Sequence, residues 1–303
     1  MKPTSWILAF LVLTVITVIA LTLSGVRPQP DLATTRLQAP DVLAKRGRYL
    51  ADIAGCRNCH SDLQNPEAAF AGGRMFETRF GTYYSPNITP DEKTGIGRWK
   101  KEEFMVALQY GVSPKGSHYY PVFPYASLSS MRNEDLLAIY EFMKTVPPVN
   151  RKSRKNGRAL FVWRNAVQLW KRLAFTRRII EPDPLRTAAW NRGRYLADAV
   201  MHCGECHTPR NFIGVMDNKR YLAGDDSRMV MNRAVPDITQ NKISGIGYWS
   251  DQHLLRYFRS GLRPDGSTSR NELAGVAYHT MNYLTDDDAR ALIVYLKSVP
   301  PSR

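Results

Sequence analysis

The chain has 303 residues, a formal net charge of +15, 44% apolar residues and four cysteines. That composition excludes a largely disordered chain, and four cysteines are too few for a disulfide-dense secreted scaffold. The length suits two domains of about 100–200 residues each.

In chain order, the first expected element is an apolar run of 18 residues, Trp6 to Leu23, without a charge and preceded by Lys2. It is long for a signal-peptide core and just long enough to span a bilayer. No A-x-A cleavage site follows it, so an uncleaved N-terminal transmembrane helix is expected. The single anchor would sit in the inner membrane with the N-terminus in the cytoplasm and the remainder in the periplasm. A helix is then expected over 40–54, with Val42, Leu43, Tyr49, Leu50 and Ile53 as its apolar set. A second runs from Trp99 to Tyr110, ended by Gly111. A third covers 134–144, capped by Asn133 and stopped by Pro147. The same roles fall later to 190–201, 250–259 and 286–297. Little alternates with period two, so the fold class is all-α.

Between these two sets, Arg151 to Arg178 holds ten Lys/Arg and no acid. Leu160, Trp163, Val167, Trp170 and Ala174 recur there at helical spacing. Such a cationic amphipathic helix suits three roles: packing its tryptophans between domains with its charges solvated, docking on an acidic partner, or lying on a membrane surface.

The chain also repeats itself. Arg46-Gly47-Arg48-Tyr49-Leu50-Ala51-Asp52 recurs letter for letter at Arg192 to Asp198, and Cys56-Arg57-Asn58-Cys59-His60 returns as Cys203-Gly204-Glu205-Cys206-His207, 147 residues later. Asn87-Ile88-Thr89 and Gly95-Ile96-Gly97 return as Asp237-Ile238-Thr239 and Gly245-Ile246-Gly247. Val146-Pro147-Pro148 and Val299-Pro300-Pro301 close the two copies. A period this long is no solenoid. The organisation read from it is an anchor and linker over 1–39, a first domain over 40–150, a basic connector over 151–185 and a second domain over 186–303.

C-x-x-C-H is the attachment signature of c-type haem. Two thiols three positions apart on a helical turn reach the two vinyl groups on one macrocycle edge, and the adjacent imidazole meets the iron. Cys56, Cys59, Cys203 and Cys206 are therefore read as the thioether attachments of two covalently bound haem c groups, with His60 and His207 as proximal iron ligands. A zinc site would need four converging ligands, and a thioredoxin-like pair would not explain the repeated histidine. The distal ligand is expected to be a Met thioether between the middle and last helices. That window holds Met131 in the first copy and Met281 in the second. Counted back from the two Val-Pro-Pro ends, however, Met131 falls opposite Leu284 and Met281 opposite Leu128, so Met131 also suits a packing role before the last helix. Met75, Met229, Met231, His118 and His279 are lesser candidates.

The run Gly95-Ile96-Gly97-Arg98-Trp99 after Pro86-Asn87-Ile88-Thr89-Pro90, the stretch Tyr120-Pro121-Val122-Phe123-Pro124-Tyr125, and Cys203 to Arg210 with Asn211 together resemble the cytochrome c subunits of bacterial membrane-bound alcohol, aldehyde and sugar-acid dehydrogenases. The resemblance covers roughly residues 40–301. It implies two tandem class I cytochrome c-like domains. Those subunits commonly carry three haem domains against two motifs here. Many read P-x-M-P-Y where this chain has Phe123, and a Met near the position of Leu273. The resemblance implies an electron-transfer subunit rather than an enzyme on its own. Its partner would be a dehydrogenase large subunit carrying a quinoprotein, flavin or molybdenum cofactor, and its acceptor membrane quinone or a terminal oxidase. Nucleic acid is excluded for an exported haem protein. The alternatives are an electron carrier of another respiratory complex and a dihaem enzyme such as a peroxidase, which would need an open or displaceable iron ligand.

Overall fold

The computed structural model describes residues 6, 9–14, 16–17, 30, 38–62, 65, 67–158, 164–227, 234–268 and 280–302. The first copy contributes helices α1 (Pro40–Ile53), α2 (Cys56–Cys59), α3 (Lys101–Tyr110), α4 (Tyr125–Leu128) and α5 (Asn133–Thr145). The connector carries α6 (Arg164–Ala174). The second copy adds α7 (Ala188–Tyr195), which runs on as a π-helical turn over Leu196–Val200, then α8 (Cys203–His207), α9 (Asp251–Ser260) and α10 (Asp286–Leu296).

The letter-for-letter repeat has a packing cause. Gly47 in α1 lies against the backbone of α5, where a Cβ would stand 1.8 Å from the Ala138 carbonyl oxygen. Gly193 in α7 repeats this contact at 2.0 Å from the Ala291 oxygen of α10. The arginine before each glycine pairs with an aspartate in the first turn of the crossing helix: Arg46 with Asp135 at 2.5 Å and Arg192 with Asp288 at 2.7 Å. First-turn acids also complement the helix dipole. Leu43, Leu50 and Ile53 join the core, but Val42 is 48% exposed. Gly111 ends α3 in the left-handed region, as expected, at φ 58°. Asn133 is not the cap of α5: Arg132 holds that place, and Asn133 is the first helical residue, its side-chain oxygen accepting from Gln109 at 2.8 Å.

The all-α expectation is corrected in one region. Strands β1 (Met75–Thr78) and β2 (Gly81–Tyr84) form an antiparallel hairpin, and β3 (Gly157–Arg158) adds to its edge. Strands of four and two residues are too short to show a period in sequence. The hairpin packs Tyr83 against Tyr120 and against Val167 of α6, so it seats the connector on the first copy. Trp170 donates its indole N–H to the Ile213 carbonyl of the second copy at 2.8 Å. The interdomain-packing role of the connector is thus observed for these residues. Its charges are not all solvated, because Lys171 is buried, donating to the Tyr110 and Gly111 carbonyls above the Tyr125 ring. Leu160 and Trp163 lie outside the described residues.

The expected N-terminal transmembrane helix, and with it the inner-membrane location through a single anchor, is not supported. Among the described residues no helix is long and apolar enough to cross a membrane. Within the Trp6–Leu23 run the described positions are 6, 9–14 and 16–17, all helical. The rest of the run lies outside the described residues.

Candidate haem sites

Each CxxCH turn follows a residue with left-handed backbone. Gly55 takes φ 72° before Cys56, where glycine meets no steric penalty. His202 occupies the equivalent place at φ 46°, and its Nε2 donates to the Ala54 carbonyl of the first copy at 3.2 Å. The turn that aims the second motif is therefore held in part by the first copy.

The two motifs meet across a pseudo-twofold interface. Asn58, between the first pair of cysteines, donates to Thr280 at 2.9 Å, and Ser127 donates to Glu205, between the second pair, at 2.8 Å. These bonds are the same contact made in both directions, because Asn58 matches Glu205 and Ser127 matches Thr280. The repeated tyrosine does likewise. Tyr49 donates to Asp288 at 2.6 Å and Tyr195 to Asp135 at 2.5 Å. Each aspartate thus joins an arginine of its own copy to a tyrosine of the other. Burial, followed by the hydrogen bond to Asp288, pushes the Tyr49 phenol up to about 12, and burial pushes Tyr195 further in the same direction.

On the proximal side the copies also agree. Nδ1 of His60 bonds the Pro86 carbonyl at 2.8 Å, and Nδ1 of His207 bonds that of Pro236 at 2.8 Å. A carbonyl accepts only from a protonated Nδ1, which leaves each Nε2 with its lone pair outward, as an iron ligand requires. Desolvation lowers both imidazoles below their ordinary range, which favours the neutral, ligating form. The prolines are positioned by the repeated loops. Asn87 donates to the Val149 carbonyl at 2.7 Å. Its counterpart Asp237 accepts from Ser302 at 2.6 Å and Ser244 at 2.7 Å. Burial raises the Asp237 carboxyl, but those hydroxyl bonds outweigh it and hold the group below its ordinary value.

The four thiols are partly buried and, among the described residues, in no disulfide. Desolvation pushes Cys56, Cys203 and Cys206 up to about 12 and raises Cys59. Neutral thiols on a helical turn, each pair beside a histidine with a fixed tautomer, suit thioether attachment rather than a thiolate site. The residues present therefore fit haem c.

The distal candidates are placed unequally. The Met131 N–H donates to the Leu128 carbonyl at 3.0 Å, and that of Leu284 to the Met281 carbonyl at 3.1 Å. The two turns are equivalent, and the two methionines stand at opposite ends of them. Met131 is 2% exposed, as Leu284 is at 3%. Met281 is only partly buried against the core. Phe123 offers no donor atom and packs between Tyr119 and Tyr125 with ring centroids 5.7 and 6.3 Å away. Met75 is half-exposed on β1, and the His118 ring is held below its ordinary range by burial and by Lys171, to about 4. Met229, Met231, Leu273 and His279 lie outside the described residues.

Sequence reasoning missed Arg74, Asp135, Asp225 and Asp288, which are buried around these turns, and the pairing of Glu205 with Arg210 at 2.6 Å. Only the repeat offered a signal, since Asp135 and Asp288 hold equivalent positions.

No protein-family model matches the chain. A dihaem c-type cytochrome of Cereibacter sphaeroides is 37% identical over 85% of this chain and 86% of its own length. The chain belongs to the c-type cytochrome family. The family's cofactor is covalently bound haem c, in keeping with the two CxxCH turns. The fructose dehydrogenase cytochrome subunit of Gluconobacter japonicus is 37% identical over 94% of the chain. The gluconate 2-dehydrogenase cytochrome c subunit of Pantoea cypripedii is 36% identical over 86% of it. The chain spans 58% and 60% of the lengths of these two relatives.

Proposed function

We propose that this cytochrome is the electron-transfer subunit of a dehydrogenase and carries two haem c groups, one in each of two domains, 40–150 and 186–303. Cys56 and Cys59 would hold the first through thioethers and Cys203 and Cys206 the second, with His60 and His207 as proximal ligands. Met131 and Met281 are the proposed distal ligands. Haem c supplies a one-electron couple at its iron when bound.

The observation that carries the reading is the opposed pair of CxxCH turns, joined by Asn58–Thr280 and Ser127–Glu205. Attachment turns that share an interface would bring two redox groups side by side in one chain, which is what a relay needs. The protein's own residues then orient the imidazoles through Pro86 and Pro236 and exclude water through the core beneath both turns. The names of the relatives support a dehydrogenase as donor. The partner would be a large subunit with a quinoprotein, flavin or molybdenum cofactor, and the acceptor a quinone or terminal oxidase.

The test is gentle purification of the haem-loaded chain from its native cells, with mass spectrometry of what accompanies it. A dehydrogenase large subunit in near-stoichiometric amount is expected. Oxidase subunits in its place, or a solitary chain with peroxidase activity, would overturn the assignment.

A further inference from the structure

The two CxxCH turns are alike in backbone but differ in how the charge around them is balanced. Arg74 donates through Nη1 to the Asn58 carbonyl at 2.9 Å, and Arg210 donates through Nη2 to the equivalent Glu205 carbonyl at 3.0 Å. The same carbonyl is thus capped by arginines from unrelated places in sequence, 14 residues after His60 in one copy and three after His207 in the other. Arg74 is 7% exposed, and no ion pair to a carboxylate is found for it among the described residues. Arg210 is paired with Glu205 at 2.6 Å, where the first copy has the neutral Asn58.

Two further positions differ in the same direction. Asp237 is buried beside the proline that orients His207, where the first copy has Asn87. Asp225 is buried next to Gly224, whose N–H donates to the His207 carbonyl at 2.8 Å; the first copy has Gly73 beside Gly72, which makes the same bond at 2.7 Å. The remaining charges near the turns nearly cancel between copies. Asp52 and Asp198 are equivalent and each has an arginine within 4 Å, Arg57 at 3.9 Å and Arg194 at 3.7 Å. Asp62 is neutralised by Arg151 at 2.7 Å.

We propose that this asymmetry orders the two redox centres, with the uncompensated Arg74 making the first site the higher-potential one, while at the second Glu205 cancels the charge of Arg210 and Asp225 and Asp237 hold the site lower. The inference rests on haem c at both sites. A buried cation disfavours the extra positive charge of the oxidised iron and a buried carboxylate favours it, with little solvent screening. One electron then passes from the second site to the first, oxidising the one and reducing the other, with no bond made or broken. The second site is accordingly the entry point for electrons and the first the exit. Arg74, Glu205 and Asp237 are positioning residues here, acting through the field at the iron.

Potentiometric titration of the haem-loaded chain, followed by visible absorbance, tests this. The intact chain is expected to show two one-electron waves. Arg74→Gln lowers the higher wave and leaves the other, with the oxidised-to-reduced ratio of that centre changing about tenfold at fixed potential, which is 59 mV for one electron. Arg74→Lys, which keeps the charge, restores it. Glu205→Gln and Asp237→Asn, the latter giving the second site the residue of the first, raise the lower wave. A shift of the wrong wave, or no shift in a variant with both haems bound, overturns the ordering. A single wave in an intact chain that binds two haems overturns the ordering, whereas one haem per chain overturns the two-haem reading itself. Haem content, read from the reduced pyridine adduct of each variant, separates loss of a haem from a change in its potential.

Discussion

Replacing Gly47 with alanine sets two effects of opposite sign against each other. Judged as a helix position, the change should stabilise α1 by about 1 kcal/mol, the difference in intrinsic propensity. The crossing with α5 decides otherwise. The new Cβ would stand 1.8 Å from the Ala138 oxygen, 2.3 Å from its carbonyl carbon and 2.8 Å from the Ile139 nitrogen, whereas ordinary contact begins at 3.4 Å. All three are backbone atoms, so no side chain can rotate away, and the helices must separate by roughly 1.5 Å. That opens the core around Leu50 and Ile139, and overpacking of this kind costs about 1–3 kcal/mol or more. Destabilisation by about 2 kcal/mol is the expected net effect. Thermal unfolding of the haem-loaded chain, followed by far-ultraviolet circular dichroism, should then show a midpoint lowered by about 4–8 °C. Gly193→Ala should behave alike, its Cβ meeting the Ala291 oxygen at 2.0 Å, while Gly157→Ala, with nothing nearer than 3.9 Å, should leave the midpoint unchanged. A midpoint at or above the wild-type value for Gly47→Ala would refute the close-crossing explanation of the repeated glycine.

The interface tyrosines should differ in the same measurement. Tyr195→Phe strips a hydrogen bond from a fully buried carboxylate and is expected to cost about 1.5–3 kcal/mol; Tyr49→Phe, at a partly exposed site, should cost less, and an equal or larger loss there would be evidence against this account. Stability should also carry a signature of Lys171, whose amine burial holds down to about 8 against an ordinary 10.5. Between those values the unfolded chain binds a proton that the folded chain has released, so this group makes stability rise with pH across about 8 to 10.5, its penalty being fully present below 8. Urea midpoints measured over that range should rise less steeply in Lys171→Met, and an unaltered slope would count against a buried ammonium.

Much of this protein was legible before any coordinates. Local chemistry writes itself into adjacent letters, so the two CxxCH turns, the repeat of 147 residues and the helices through 40–54, 99–110 and 250–259 could be read with boundaries close to those observed. Gly111 as a helix stop was readable because a left-handed residue is an intrinsic demand of the backbone. The hairpin over Met75–Tyr84 was not, since its strands are held by pairing and by Tyr83 against the connector rather than by a pattern of their own. Nor was the identity of the cap on α5, which Arg132 supplies through its backbone while Asn133 turns to Gln109.

The repeat determined that two like units exist, and the letters of Arg46 to Asp52 that one helix crossing is used twice. Only the tertiary structure decided how the units face each other. Asp135 and Asp288 each bind across the interface to the other copy's tyrosine, a pairing at separations of 60 and 239 residues that no local pattern encodes. It decided as well that Arg74 and Arg210, unrelated in sequence, cap the same carbonyl of the two turns. Covalent attachment is a property of neighbouring residues, whereas the field around the attached group sums over charges that folding alone brings together.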